Sequence, residues 1–449
     1  MRERDDRVLA ATRAAIALIR SHLNLHFSVR LWDGTVEPLG DGVVPGLTLQ
    51  LNSPGVLPSL LRWPSLDRLI RHYAHGRIDL EGGTIVDFGR PFTDKSLSKQ
   101  VREISKVKLA RTLWPVLIAK GDHPDTSRRF EGDVHGARRA KQDNRQFIKF
   151  HYDIGNDFYR LFLDPEMQYS CAYYPTWDTS LADAQVAKLD MICRKLRLKP
   201  GDHLLDIGCG WGGLLCHAAT RYGVTGLGVT LADEQIKLAR EKAASLGLRD
   251  RLTFELKDYN DLKGRFDKIA SIGMYEHIGI KAIPGYFSKI RTLLKDDGLF
   301  LNHAIAHKAK KRKRKFADRP EQKALQKYIF PGGELTDVGY TIRAAEQTGF
   351  ETQDVEGWRP HYERTTRLWC ERLTARRAEA EALVGPETYR IWVAYLGGCS
   401  LAFRRGSATI YQVLFSRTRR GPPPLPPTRA DLYAERPAVD LGMRAPGVS

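Results

Sequence analysis

The chain has 449 residues, 42% of them hydrophobic, enough to bury a sizeable core and to suggest two or three domains. Its 71 basic and 53 acidic side chains leave a net charge of +18, which points to an anionic partner, nucleic acid or a membrane with acidic lipid, without choosing between them. No apolar run approaches the roughly 20 residues that span a bilayer, and six cysteines, Cys171, Cys193, Cys209, Cys216, Cys370 and Cys399, show no Cys-x-x-Cys spacing, which argues against a disulfide scaffold or a zinc knuckle.

In chain order, acids among the first seven residues, with Arg13 and Arg20 interrupting the apolar residues after them, do not fit a signal peptide, so a cytoplasmic protein is expected. Apolar periodicity predicts a helix over 8–25, and short β-like runs punctuated by Gly34, Gly40, Pro45, Pro54 and Gly82 follow. Residues 1–121 therefore read as a small α+β domain. The polar, basic stretch 122–146 has linker composition. From 147 to 420 strands and helices alternate. Strands are expected at the run ending in Asp206 and at 224–230, 252–256, 266–272 and 299–304, with helices over 212–221, 233–246 and about 282–294. Such alternation builds a doubly wound, mostly parallel sheet with ligands bound beyond the carboxyl ends of its strands. The proline-rich stretch 421–449 is expected to be a disordered tail.

Strand tips are therefore the site candidates. Residues 204–214 read Leu-Leu-Asp-Ile-Gly-Cys-Gly-Trp-Gly-Gly-Leu, an apolar strand running into a glycine-rich turn. Gly208, Gly210 and Gly212 permit a tight turn and close approach of backbone N–H groups to a ligand, and Asp206 adds a carboxylate suited to a cationic group. Glu276 and His277 follow a later strand, and His303 lies within the next, so carboxylate and imidazole converge on one crevice. A lone histidine in an apolar strand reads first as a hydrogen-bonded core residue, a reading that convergence with Glu276 weakens. With no His-Glu-x-x-His or close-spaced ligand pair, no metal is expected. The tip at Thr230 lacks the acid that commonly holds a ribose, leaving Thr230 and Gln235, or Asp233 and Glu234, to supply polar contacts. Residues 308–315 hold seven basic side chains in eight positions, either a solvated loop or a contact for an anionic surface. Upstream, residues 150–174 are densely aromatic, with Phe158, Tyr159 and Phe162 at the spacing of a helix core.

The Asp-x-Gly-x-Gly-x-Gly turn resembles the first motif of class I S-adenosylmethionine methyltransferases. Together with residues 150–174, Phe330-Pro-Gly-Gly-Glu-Leu, Arg359-Pro-His-Tyr-Glu-Arg-Thr, Tyr395-Leu-Gly-Gly-Cys-Ser and Tyr411-Gln-Val, in that order, the chain resembles the cyclopropane-fatty-acyl-phospholipid synthases, related to the mycolic acid cyclopropane synthases, over 150–415. Tyr73-Ala-His-Gly-Arg-Ile-Asp-Leu-Glu-Gly resembles the small N-terminal domain of the phospholipid-acting members. The resemblance implies a seven-stranded Rossmann-like sheet and transfer of a methylene from S-adenosylmethionine to the cis double bond of an unsaturated phospholipid acyl chain, with bound bicarbonate as base. Carried over residue by residue, it places Cys171, Glu276, His303, Ile305 and Tyr362 at the base. Tyr169, Ser170, Asp206, Gly208, Gly210, Thr230, Gln235 and Tyr259 are placed at the cofactor. It also implies a peripheral enzyme at the inner face of the membrane, lipid presented by residues 1–121 and the 308–315 run, and admits a homodimer and a partner reductase. A methylene- or methyl-branched or hydroxylated product is the alternative outcome. An RNA methyltransferase is a further one, disfavoured because nucleic acid gives the base-pocket residues no role.

Overall fold

The computed structural model describes residues 2–130, 146–147, 150–152, 154–309, 319–418, 421, 423 and 425–434. They belong to two compact units, each discontinuous in sequence: Met1–Gly132 with Ala317–Ile329 and Thr366–Arg405, and Asp133–Phe316 with Phe330–Thr365 and Gly406–Ser449.

In the first unit, β1 (Ser28–Arg30), β2 (Val36–Pro38), β3 (Thr48–Leu51) and β4 (Ile78–Glu81) form a sheet in the order β2-β1-β3-β4. Only β1 and β3 run parallel. Phe27, Val29, Leu47, Leu51, Val56 and Phe88 fill its core. The first helix is Arg2–Arg20, starting and ending earlier than the 8–25 periodicity suggested. Residues 317–329 and 366–405, which strand–helix alternation assigned to the second domain, belong here. The physical reason is the helix Arg377–Arg405, kinked at Gly385 (φ 78°) before Pro386, whose missing N–H cannot continue the ladder. It seats Gly397 against Ile85 and sends the buried Arg390 to both carboxylate oxygens of Asp79 at 3.0 and 2.6 Å.

The second unit is the expected doubly wound, mostly parallel seven-stranded sheet. Its strands are β5 (His203–Ile207), β6 (Thr225–Thr230), β7 (Leu252–Leu256), β8 (Phe266–Ile272), β9 (Leu294–His307), β10 (Phe350–Gly357) and β11 (Ala408–Arg417), in the order β10-β11-β9-β8-β5-β6-β7. The strand β5 is covered on both faces, which is why it reads as a continuous apolar run. The strand order reverses at β5, so the crevice beyond β5 and β8 is the natural ligand position. The last strand, β11, lies antiparallel between β9 and β10. Phe158, Tyr159 and Phe162 are buried core residues, as their spacing predicted.

In the proline-rich stretch, expected to be a disordered tail, the described residues 425–434 make specific contacts. Arg194 donates to the Leu432 and Ala434 carbonyls at 3.1 and 2.7 Å, Arg197 to Asp431 at 3.2 Å, and Leu432 is buried. Proline forbids continued helix but not an extended segment anchored by such contacts. Residues 435–449, and 131–145 of the linker stretch, lie outside the described residues.

Candidate active site

A cleft opens where the turn after β5 meets the start of the helix Gly213–Tyr222. The N–H groups of Gly208 and Cys209 both donate to the Val229 carbonyl, at 2.8 and 3.1 Å, which ties the turn to β6. At the left-handed Gly212 (φ 78°), a Cβ would come within 2.9 Å of Ala239 and the Phe254 ring, so no other residue fits between loop and helix. Seven of the eight residues expected at the cofactor line this cleft: Tyr169, Ser170, Asp206, Gly208, Gly210, Thr230 and Gln235. The Thr230 hydroxyl donates to Gln235 at 3.0 Å, so this pair, rather than Asp233 or Glu234, faces the cleft from β6. Tyr259 does not line it. It occupies a turn after the edge strand β7, where its ring packs edge-on to Tyr286 at 5.5 Å.

Asp206 is buried, its Oδ1 has no hydrogen-bond partner, and burial raises its carboxyl to about 7 against the opposing pull of Lys188. A carboxylate so placed is short of a cationic partner, and a ligand's ammonium would supply one. Lys188 was not foreseen. It projects from the helix Leu181–Lys195 and donates to Gln168 Oε1 at 2.6 Å and Ser170 Oγ at 2.9 Å, which pins the 168–170 segment beside the cleft. Burial lowers its ammonium to about 8, opposed by Asp164, Cys171 and Asp206. The available signal was a lysine four residues from both Ala184 and Ile192, on the buried stripe of an amphipathic helix. Two further lining residues went unnoticed inside conspicuous motifs: Tyr152, and Trp211, whose indole N–H donates to Asn156 at 2.7 Å.

The five residues expected at the base do not line the cleft but form a cluster adjoining it at Ser170–Cys171 and Met274–Glu276. The Ile305 N–H donates to Glu276 Oε1 at 2.6 Å, leaving Oε2 buried without a partner. Burial raises this carboxyl from 4.5 to about 7, although the Ile305 hydrogen bond opposes the shift. His303, two residues before Ile305 on β9 and hence on the same face, accepts at Nδ1 from the Gln412 amide at 2.9 Å. With the amide so oriented the proton of the neutral ring is on Nε2, which is also buried and unpartnered. Burial, with Lys188 and Lys195 nearby, holds His303 neutral, well below its ordinary range. Trp358 gathers the remainder: its ring meets His303 edge-on at 5.2 Å, its carbonyl lies 3.8 Å from the Cys171 thiol and accepts the Tyr362 N–H at 3.1 Å. Burial raises the Cys171 thiol well above its usual range, so it is a neutral wall and not a nucleophile. Tyr152 connects the two halves: it lines the cleft, hydrogen-bonds Gln235, and its hydroxyl is held protonated by burial and by the Glu276 charge.

One neutral imidazole donor and one carboxyl titrating near neutrality, both buried with a free polar atom, can hold a small polar molecule and pass a proton. Among the described residues no three His, Cys, Asp or Glu side chains gather in a set able to hold a metal ion, and no helix is long and apolar enough to cross a membrane. The basic positions 310–315 lie outside the described residues.

A family model described as mycolic acid cyclopropane synthetase matches residues 139–413. The chain is 36% identical over 414 residues to a probable fatty acid methyltransferase of Pseudomonas putida, covering 92% of this chain and 97% of that one. It is 42% identical over 288 residues to the cyclopropane-fatty-acyl-phospholipid synthase of Escherichia coli K12, covering 63% of this chain and 72% of that one. Among solved structures, a mycolic acid cyclopropane synthase, CmaA1, complexed with SAH and CTAB, superposes with a TM-score of 0.59 at 34% identity, covering 61% of this chain and 98% of that chain.

Proposed function

The chain belongs to the mycolic acid cyclopropane synthetase family, and on that premise we propose that it transfers a methylene from S-adenosylmethionine to the cis double bond of an unsaturated phospholipid acyl chain, closing a cyclopropane. The observation that carries this reading is an Asp206 carboxyl oxygen lacking a partner in a glycine-turn cleft, together with Glu276 and His303, each buried with an unpartnered polar atom of its own.

S-adenosylmethionine supplies an electrophilic methyl and carries an ammonium suited to the unpartnered Asp206 oxygen. Thr230 and Gln235 offer polar contacts on the β6 side, and Tyr169, Ser170 and Trp211 close the cleft. An alkene has no acidic proton to remove first, so its π electrons would take the methyl directly as the S–CH3 bond breaks, releasing SAH and leaving a cation on the chain. The protein must then keep water away and hold a base that does not itself add to the cation. Aromatic rings of Tyr152 and Tyr169 line the cleft and favour positive charge there. Bicarbonate fits the second half-site: His303 Nε2–H is a free donor and Glu276 Oε2 a free carboxyl oxygen, so these two would hold it with Ile305 fixing Glu276, and it would accept the proton lost on ring closure. Residues 1–121 would present the lipid from the inner membrane surface.

A second reading follows from the relative matched over nearly its full length, a probable fatty acid methyltransferase. Here the same transfer ends in proton loss elsewhere and a methylene- or methyl-branched chain. Expression in a bacterium lacking its own cyclopropane synthase, followed by mass spectrometry of phospholipid fatty acids, tests both. A gain of one methylene on monounsaturated chains is expected, and location of residual double bonds separates ring from branch. Unchanged lipids, despite soluble protein that binds SAH, would refute the reading.

A further inference from the structure

The described surface of the first unit carries a feature that neither half-site uses. Helices Lys95–Glu103, Lys106–Thr112 and Trp114–Ile118 follow one another, and their largest exposed apolar side chains are Val107, Trp114 and Ile118, at 69, 62 and 59% exposure. Trp114 and Ile118, four apart, share one face of their helix, while Val116 on the opposite face is fully buried with Val8, Ala11 and Ala119. The segment is anchored: the Arg62 guanidinium donates twice to the Leu117 carbonyl, at 3.0 and 2.6 Å, and again to that of Ala119. The outward apolar face is thus held out by the fold.

Charge accompanies it. Lys99, Arg102, Lys106, Lys108, Arg111 and Lys120 are all exposed, none makes an ion pair among the described residues, and Glu103 is the one acid within this stretch. Elsewhere in the same unit cations are matched, as in Arg13–Glu37, Arg20–Asp41, Arg30–Glu81 and Arg77–Asp122. Exposed tryptophan and aliphatic side chains interleaved with unmatched cations are the composition of an interfacial membrane contact. A second copy of the chain would set six cations against six in a two-fold interface, and nucleic acid would leave Val107 and Ile118 without a role.

We propose that residues 99–120 form a docking surface for an anionic lipid bilayer, with Val107, Trp114 and Ile118 entering the interface and the flanking cations meeting lipid phosphates. This deepens the reading that the substrate is membrane lipid, and it is tested apart from that reading by measuring binding instead of turnover. The full chain is floated with phosphatidylcholine vesicles containing 30% phosphatidylglycerol. A Trp114→Ser, Ile118→Ser double variant and a Lys106→Glu, Lys108→Glu, Arg111→Glu triple variant should each lower the vesicle partition coefficient at least tenfold. All sites are exposed, so thermal unfolding and SAH affinity should match the parent. Undiminished vesicle binding by both variants overturns the proposal. So does binding that is lost only on neutralising the 308–315 run, a change of oligomeric state in the Trp114→Ser, Ile118→Ser protein, or loss of RNA binding with vesicle binding intact. A parent that docks on vesicles but transfers nothing to their lipids overturns the reading of the cleft and leaves this surface standing.

Discussion

Replacing Glu276 by glutamine should alter stability in a way that depends on pH. In the folded protein the Glu276 carboxyl titrates near 7, and in the unfolded chain near its ordinary 4.5. Below 4.5 both states carry the proton and the group is neutral in stability. Between 4.5 and 7 the unfolded chain releases its proton while the folded protein keeps it, so the unfolded state binds fewer protons and stability falls as pH rises. Above 7 the loss is complete, at about 3 kcal/mol for a gap of this size. Glutamine cannot ionise, and its Oε1 still accepts from the Ile305 N–H, so the variant escapes that loss. Its added N–H₂ donors near the former Oε2 carry a cost of about 1–3 kcal/mol if left unpaired, but one that does not vary with pH. Urea denaturation of parent and Glu276→Gln at intervals from pH 4.5 to 8.5 reads the difference directly, because every other titrating group cancels. The stability of the variant relative to the parent should swing by about 3 kcal/mol in its favour across this range, while activity on lipid is lost. A difference flat with pH, or a swing the other way, would mean that Glu276 is held ionised by a partner and would refute the burial argument.

In the cleft, binding of SAH to the parent should tighten between pH 6 and 8 as the Asp206 carboxyl ionises through about 7; Asp206→Asn should bind about 10–100-fold more weakly above pH 8 and lose that pH dependence in titration calorimetry. His303→Ala should abolish methylene transfer, measured by mass spectrometry of lipids, with SAH affinity within about threefold of the parent. Arg390→Ala should destabilise the first unit by about 1.5–3 kcal/mol in urea denaturation, since it removes two hydrogen bonds to the Asp79 carboxylate and leaves Arg377, at 3.6 Å, as its cationic partner.

The parallel half of the sheet was legible because apolar residues mark the positions its strands bury, as a nearly continuous run in β8 and, in the edge strand β7, as buried Leu252 and Phe254 alternating with exposed Thr253. The expected bounds of β7 and β8 coincide with the observed Leu252–Leu256 and Phe266–Ile272. The antiparallel pair was not. The strand β10, Phe-Glu-Thr-Gln-Asp-Val-Glu-Gly, buries only its first residue and carries almost no hydrophobic signal, its place being set by seven-residue pairing with β11. Single residues at strand tips were readable from chemistry, Asp206 and Glu276 above all. What escaped were residues whose meaning is three-dimensional: Lys188, which needs the partners Gln168 and Ser170 to explain a buried ammonium, and Trp358, which looks like core until its contacts with His303 and Cys171 are seen. Unit boundaries were hidden for a similar reason, because Arg390 finds Asp79 more than three hundred residues away.

The position of β11 bears on how the protein is made. It is the last of the described strands in chain order yet lies inside the sheet, paired with β9 along Ala408–Ser416, and it delivers Gln412 to His303. Until about residue 417 has left the ribosome, β9 presents an open apolar edge and its imidazole has no orienting amide. A chain stalled or cut before that strand would expose a sheet edge prone to pairing with other chains.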